Sequence, residues 1–229
     1  MAAAKDFFTA PSGCKHELVA EIDRMVEERS LLKHPFYVMW SDGDLTLDSL
    51  AGYSKEYFQL VKAVPGFMSP IVDAAPPGVA GELAENMQEE EDHILPWTRF
   101  ARSLGVDGEE LSTYAGLDET RRAVGGLSAL MGSYEGGACA MYAFEKEIPE
   151  ISRIKMEGLA EFYGITGAEA TEYFRLHTEA DIRHAASWRG ILEGASGQHE
   201  GLLEAAKRSI SAQNLLLDGC HRAYCTVSA

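Results

Sequence analysis

No run of this sequence approaches the ~20 consecutive apolar residues that a membrane span needs. Its start, MAAAKDFFTAPSGCK, lacks the charged n-region and continuous apolar core of a secretory signal, so a cytoplasmic location is expected. Cysteine is scarce. Cys14, Cys139, Cys220 and Cys225 form no CxxC pair, which argues against a disulfide framework or a structural zinc site. Cys14 and the GCHRAYC pair are expected in loops or tails. Positive charge is scarce as well: 20 Lys and Arg stand against 36 Asp and Glu, a formal charge of −16. That balance argues against nucleic acid and anionic membrane surfaces as partners. Strand signals are nearly absent.

What is present is helical periodicity. Helices are expected over roughly residues 15–33, 46–64, 79–104, 118–134, 137–163, 167–193 and 198–217. HPFYVMWSDGDLT, with Pro35 and Gly43, reads as an irregular corner, Pro65 and Gly66 as breakers, and DAAPPG as a loop. Residues 106–116 read as a turn region. Pro149 lies inside the fifth helix and predicts a kink there. No repeat, low-complexity segment or long linker divides the chain. The expectation is a single all-α domain of about seven helices over 1–229, with 1–14 and 218–229 as loose tails.

The stretch HTEADIRHAASW carries the chemistry. At ~100° per residue, Tyr173, His177, Ala180, Asp181, His184, Ala185, Trp188 and Ile191 form one stripe of the sixth helix. His177 and His184 differ in direction by only about 20°, and Asp181 lies about 40° from His177. All three point inward, while Glu179 and Arg183 point elsewhere. Burying such groups is costly unless something pairs them, and a divalent metal does so. Imidazole with carboxylate suits iron, manganese or zinc. A hydrogen-bonded polar core network is the alternative.

A metal inside a helix bundle needs ligands from facing helices. On the third helix, Glu90 falls near the centre of the face set by Leu83, Ala84, Met87, Ile94, Trp97 and Ala101. His93 falls at its edge. Glu90 and His93 form the i, i+3 pair that carboxylate-bridged two-metal bundles use. Glu89 is i−4 from His93 but points further from the face, and Glu91 points away. On the fifth helix Glu145 shares a stripe with Met141, Ile148, Ser152 and Leu159. An ion pair with Lys155 or an arginine is its other reading. Glu90, His93, Glu145, His177, Asp181 and His184 together would suit two metals sharing a carboxylate, equipment for activating dioxygen or polarising water.

The runs HPFYVMWSDGDLTLDSLAGYSKEYF, ENMQEEEDHILPW, YAFEKEIPEIS and EYFRLHTEADIRHA resemble the family of the chlamydial death-domain-associating protein. That family belongs to the haem-oxygenase-like dimetal oxidases, and the resemblance covers about residues 15–215. It implies a seven-helix bundle, usually dimeric, with two metals (Fe/Fe or Fe/Mn) on the six residues just named. It also implies a self-sacrificing synthesis of p-aminobenzoate, a folate precursor, using dioxygen and a reductant whose donor is unknown. Tyr37 would supply the ring and Lys155 the amino group, with Tyr53 and Tyr173 near the site. Where relatives carry a tyrosine before the metal-binding glutamate, this chain has Phe144.

Residue physics alone leaves other readings open. Tyr37 also reads as an ordinary buried aromatic, and Lys155, about 15 Å beyond Glu145 on a straight helix, as a solvated or ion-paired lysine. A conventional dimetal oxygenase acting on an external small molecule is a second function. A death-domain-type interaction module is a third, for which no exposed apolar stripe stands out. Haem oxygenase chemistry does not need the six-residue set. A thiaminase-like nucleophile would have to be Cys139, whose position reads as small-residue packing.

Overall fold

The computed structural model describes residues 14–225. They form α1 (Cys14–Glu28), a 3-10 turn (Leu31–Lys33), α2 (Pro35–Asp42), α3 (Leu47–Val61), α4 (Val64–Ala74), α5 (Pro77–Asp92), α6 (Ile94–Ser103), α7 (Gly108–Thr113), α8 (Asp118–Ser128), α9 (Tyr134–Glu145), α10 (Ile148–Glu161), α11 (Ala168–Gly194) and α12 (His199–Tyr224). The all-α class stands. Among the described residues no helix is long and apolar enough to cross a membrane.

Twelve helices are described where seven were expected: prolines split the third and fifth, and the expected corner, the break before DAAPPG and the turn region 106–116 each hold a helix of their own. α3 ends at Val61, α5 at Asp92 and α9 at Glu145, and Pro65, Pro96 and Pro149 each follow four residues later. A proline has no N–H to give the carbonyl four residues back, and its ring crowds that carbonyl. The helix therefore stops there and a new one starts in a different direction. Pro149 was expected to act this way. Pro96 was not, so the expected single helix over 79–104 breaks at His93. Pro65 stands in the first turn of α4, where a missing N–H costs nothing, so residues 64–74 are helix rather than a break followed by a loop.

The corner that carries Tyr37 is also a helix. The Phe36 N–H donates to His34 Nδ1 as an N-cap, Pro35 opens the first turn, and Gly43 closes α2 at φ 76°. α2 packs tightly on α10. A Cβ at Gly158 would lie 2.8 Å from the Trp40 indole and 3.1 Å from its carbonyl oxygen. Trp40 Nε1 donates to the Lys155 carbonyl at 3.2 Å. Gly158 thus sets the spacing that brings Tyr37 of α2 beside Lys155 of α10.

α11 packs against α6, α9 and α10, while α12 closes the other side on α3, α8 and α9. Trp40, Trp97 and Trp188 are all fully buried in the common core. Residues 218–224 are no loose tail: they are the last turns of α12. Cys220 is fully buried there. The Tyr224 ring fills the space above Gly52. Its hydroxyl donates to Glu56 at 2.9 Å, and its carbonyl accepts from Ser49 at 2.8 Å. Glu56 is itself fully buried and also accepts from the Tyr114 and Thr120 hydroxyls and from the Leu117 N–H. This knot anchors the end of the chain. The expected tail of residues 1–14 lies, but for Cys14 in α1, outside the described residues, as does 226–229.

Substituting Gly158→Ala forces α2 and α10 apart. A loss of about 1–3 kcal/mol is expected, the usual effect of overpacking, read from urea unfolding. An unchanged midpoint would show that the contact yields without cost.

Candidate metal centre

Six side chains converge from three helices and one helix break. Glu90 lies in the last turn of α5 and His93 in the break that Pro96 creates. Glu145 is the last residue of α9, and His177, Asp181 and His184 line one face of α11. All six are at most 6% exposed. Ligand atoms of Glu90, His93 and His177 lie within 4.8 Å of one another, and so do those of Glu90, Glu145, Asp181 and His184. The two groups share Glu90, which would serve both ions if each group held one. The stripe reading placed all six residues together, and the structure does the same.

Each imidazole presents one defined nitrogen. His177 Nδ1 donates to the Tyr173 carbonyl at 2.7 Å, which leaves Nε2 facing Glu90 at 3.8 Å. His93 Nδ1 lies 3.4 Å from Glu90 Oε1. His184 Nδ1 lies 3.2 Å from Glu90 Oε1 and 3.5 Å from Asp181 Oδ1. These approaches lack hydrogen-bond alignment. Glu90 Oε1, His93 Nδ1, Glu145 Oε1, both Asp181 oxygens and His184 Nδ1 are buried without a hydrogen-bond partner. Six orphaned donor atoms aimed at one small volume are a heavy cost for a polar core network and a natural set of metal ligands. The residues fit a two-metal centre.

The electrostatics agree. Burial, with Asp181 and Glu90 nearby, pushes the Glu145 carboxyl well above its usual range. Burial likewise raises Asp181, against the pull of His177. Burial opposes charge on Glu90 too, but the adjacent imidazoles of His177, His184 and His93 hold it well below the ordinary value. Burial also disfavours a charged His184, yet Asp181, Glu90 and Glu145 raise it to about 11. Three carboxylates in a dry core call for positive charge, and protonated histidines answer in part. Trp188 Nε1 donates to Glu145 Oε2 at 2.6 Å and fixes that carboxylate.

Glu89, the neighbouring candidate, stays outside the cluster. It pairs with Arg183 and accepts from His184 Nε2 at 3.0 Å.

The second group of expected residues forms its own cluster. Lys155 Nζ donates to the Tyr37 hydroxyl at 2.9 Å and to the Tyr53 hydroxyl at 2.6 Å, and the two hydroxyls lie 3.0 Å apart. The nitrogen sits 4.5–5.7 Å from the ring centroids of Tyr37, Tyr53, Tyr57, Trp40 and Phe174. Lys155 is only 4% exposed, so it is neither solvated nor paired with Glu145. Burial lowers its amine well below the usual lysine value. Burial raises the Tyr37, Tyr53 and Tyr173 phenols well above theirs.

A line of rings joins the two clusters. Tyr53 lies 5.4 Å from Tyr57, Tyr57 and Tyr173 line the same small cavity, and Tyr173 stacks on His177 at 3.9 Å. Trp97 touches both, at 4.8 Å from Tyr57 and 4.6 Å from Tyr173. Tyr57 was missed as a site residue. Its signal was available, since it follows Tyr53 by four residues on the same helix face. A cavity of about 10 Å³ lies against Tyr57, Glu90, Phe144, Glu145, Tyr173 and His177. Cys139 is fully buried and burial pushes its thiol up to about 12, so it packs rather than attacks.

Residues 52–214 match the family described as iron-containing redox enzyme. The chain belongs to that family of oxidoreductases. Proteins named 4-aminobenzoate synthase resemble it along most of its length. That of Nitrosomonas europaea is 32% identical, covering 90% of this chain and 91% of the relative. That of Chlamydia muridarum is 31% identical, covering 89% and 93%. The solved structure of a CADD-like protein of unknown function from Nostoc punctiforme superposes with a TM-score of 0.73 at 20% identity, covering 93% of this chain and 99% of that one. The fold is haem-oxygenase-like, as the sequence resemblance implied.

In the metal-free protein, Asp181 must bury a charge or hold a proton at a cost. Asp181→Asn is expected to leave the metal-free melting temperature equal or higher, while abolishing most of the rise that added Fe(II) or Mn(II) gives the parent protein. An ion at 100 times its Kd contributes about 2.7 kcal/mol, some 5–11 °C for a chain of this size. A variant with the full metal-induced rise would remove Asp181 from the ligand set.

Proposed function

We propose that this oxidoreductase makes p-aminobenzoate from its own chain, with Tyr37 supplying the ring and Lys155 the amino group, at the expense of dioxygen and an external reductant. One observation carries the reading: the Lys155 nitrogen is hydrogen-bonded to the Tyr37 hydroxyl in a dry aromatic box. Burial favours the neutral form of that amine, whose free lone pair makes it a competent nucleophile. Tyr53 holds that amine from the other side. The 4-aminobenzoate synthase name of the relatives supports the same product.

Glu90, His93, Glu145, His177, Asp181 and His184 would hold two ions, Fe/Fe or Fe/Mn. When bound, these ions supply dioxygen activation. Tyr173 and Tyr57 sit between the ligand set and the Tyr37–Lys155 pair, and their contacts let oxidising equivalents pass between the two ends. Phe144 stands beside the cavity without a hydroxyl, so the path runs through Tyr57 and Tyr173. The protein destroys a side chain in the process, so each chain would act once.

The small cavity argues against an external aromatic substrate. About 10 Å³ is roughly one water-sized sphere. A molecule of that size is dioxygen or water, not a six-membered ring.

Protein loaded with iron and manganese, then given dioxygen and reductant, is expected to release at most one p-aminobenzoate per chain. The intact mass should fall by a matching amount, mapped by peptide analysis to Tyr37 for the ring and to Lys155 for the nitrogen. Tyr37→Phe should bind metal normally and release nothing. Repeated turnover by Tyr37→Phe on an added compound would establish an external substrate instead.

A further inference from the structure

His177 and His184 face the same cluster but are held in different ways. His177 is oriented by a main-chain carbonyl on its own helix, Tyr173 O at 2.7 Å. No substitution at position 173 removes that acceptor. His184 is oriented from another helix by a side chain. Its Nε2 lies 3.0 Å from Glu89 Oε2, and Glu89 in turn takes two hydrogen bonds from the Arg183 guanidinium, at 3.2 and 2.9 Å. His184 is fully buried, whereas the Glu89 and Arg183 side chains are 37% and 59% exposed.

We infer that Glu89, pinned by Arg183, is the positioning residue for one of the two metals. An ionised carboxylate can only accept, so in the neutral ring that binds a metal it holds the His184 proton on Nε2. That leaves Nδ1 as a bare donor, 3.2 Å from Glu90 Oε1 and 3.5 Å from Asp181 Oδ1, with no hydrogen bond of its own. Nδ1 is the atom that a metal held by Glu90, Glu145 and Asp181 would use. A carboxylate behind a metal-binding imidazole sets its tautomer, holds its plane and raises its basicity. Without Glu89 the ring is free to carry its proton on Nδ1 and to turn away. The other group, Glu90, His93 and His177, makes no use of Glu89. An ion pair this exposed contributes little to folding, so the effect on metal and the effect on stability separate.

This inference rests on the two-metal reading of the centre, and one experiment tells their failures apart. Metal-free protein is titrated anaerobically with Co(II), following visible absorption, with metal-free melting temperature as the fold control. The parent protein is expected to take two Co(II) per chain. Glu89→Ala should weaken one of them by about 10- to 100-fold and change its absorption bands, leaving the other ion and the metal-free melting temperature alone. Glu89→Gln, which keeps an acceptor at the same place, should recover part of the loss, and Glu91→Ala should behave as the parent. Two ions bound by Glu89→Ala with parental affinity and bands would overturn the inference. So would a loss matched in Glu89→Gln and accompanied by a lower metal-free melting temperature, since that marks a structural role. A parent protein that binds no Co(II) would sink the two-metal reading itself.

Discussion

Three carboxylates, Glu90, Glu145 and Asp181, face one another inside a core that excludes water, and most of what is particular to this protein follows from that. Each would sit more cheaply at the surface. Burial, with their mutual repulsion, raises the proton affinity of Glu145 and Asp181, and the neighbouring imidazoles offset only part of it. Six donor atoms remain without a partner. A fold keeps so expensive an arrangement when something outside the chain completes it, and divalent ions match its charge, its donor types and its two-lobed shape.

Prolines bring the ligands to that point. Pro96 and Pro149 stop two helices four residues upstream, so Glu90 and Glu145 stand in terminal turns and His93 in a break. An uninterrupted helix would carry the chain straight past the centre. The same cut after Glu145 redirects α10, and Lys155 swings to the α2 side of the bundle instead of continuing along the axis of α9. The metal ligands and the Tyr37–Lys155 pair thus form two clusters on one scaffold, joined by Tyr53, Tyr57 and Tyr173.

Those clusters are charged and uncharged chemistry kept apart. Ligand residues carry charge and need ions. Around Lys155 the walls are aromatic, and burial lowers the amine and raises the phenols, favouring the uncharged form of each. A charged lysine would be inert towards carbon chemistry and would pull water in. Gly158 and Trp40 maintain the close α2–α10 packing on which that dryness depends.

The sequence by itself determined the all-α class and the inward direction of all six ligand candidates. Both are matters of helical register, and register is written locally: residues three, four or seven apart share a face whatever the rest of the chain does. It also marked the Pro149 break, because a proline acts on its own helix. It did not reveal that Tyr37 lies on a helix, that residues 218–224 pack, or that Glu89 serves His184. Nor did it show that Lys155 sits against Tyr37. The packing contacts among them join distant residues, 175 positions apart for Ser49 and Tyr224. Only tertiary structure decides such contacts, because they depend on the angles at which broken helices cross, and no local pattern encodes them.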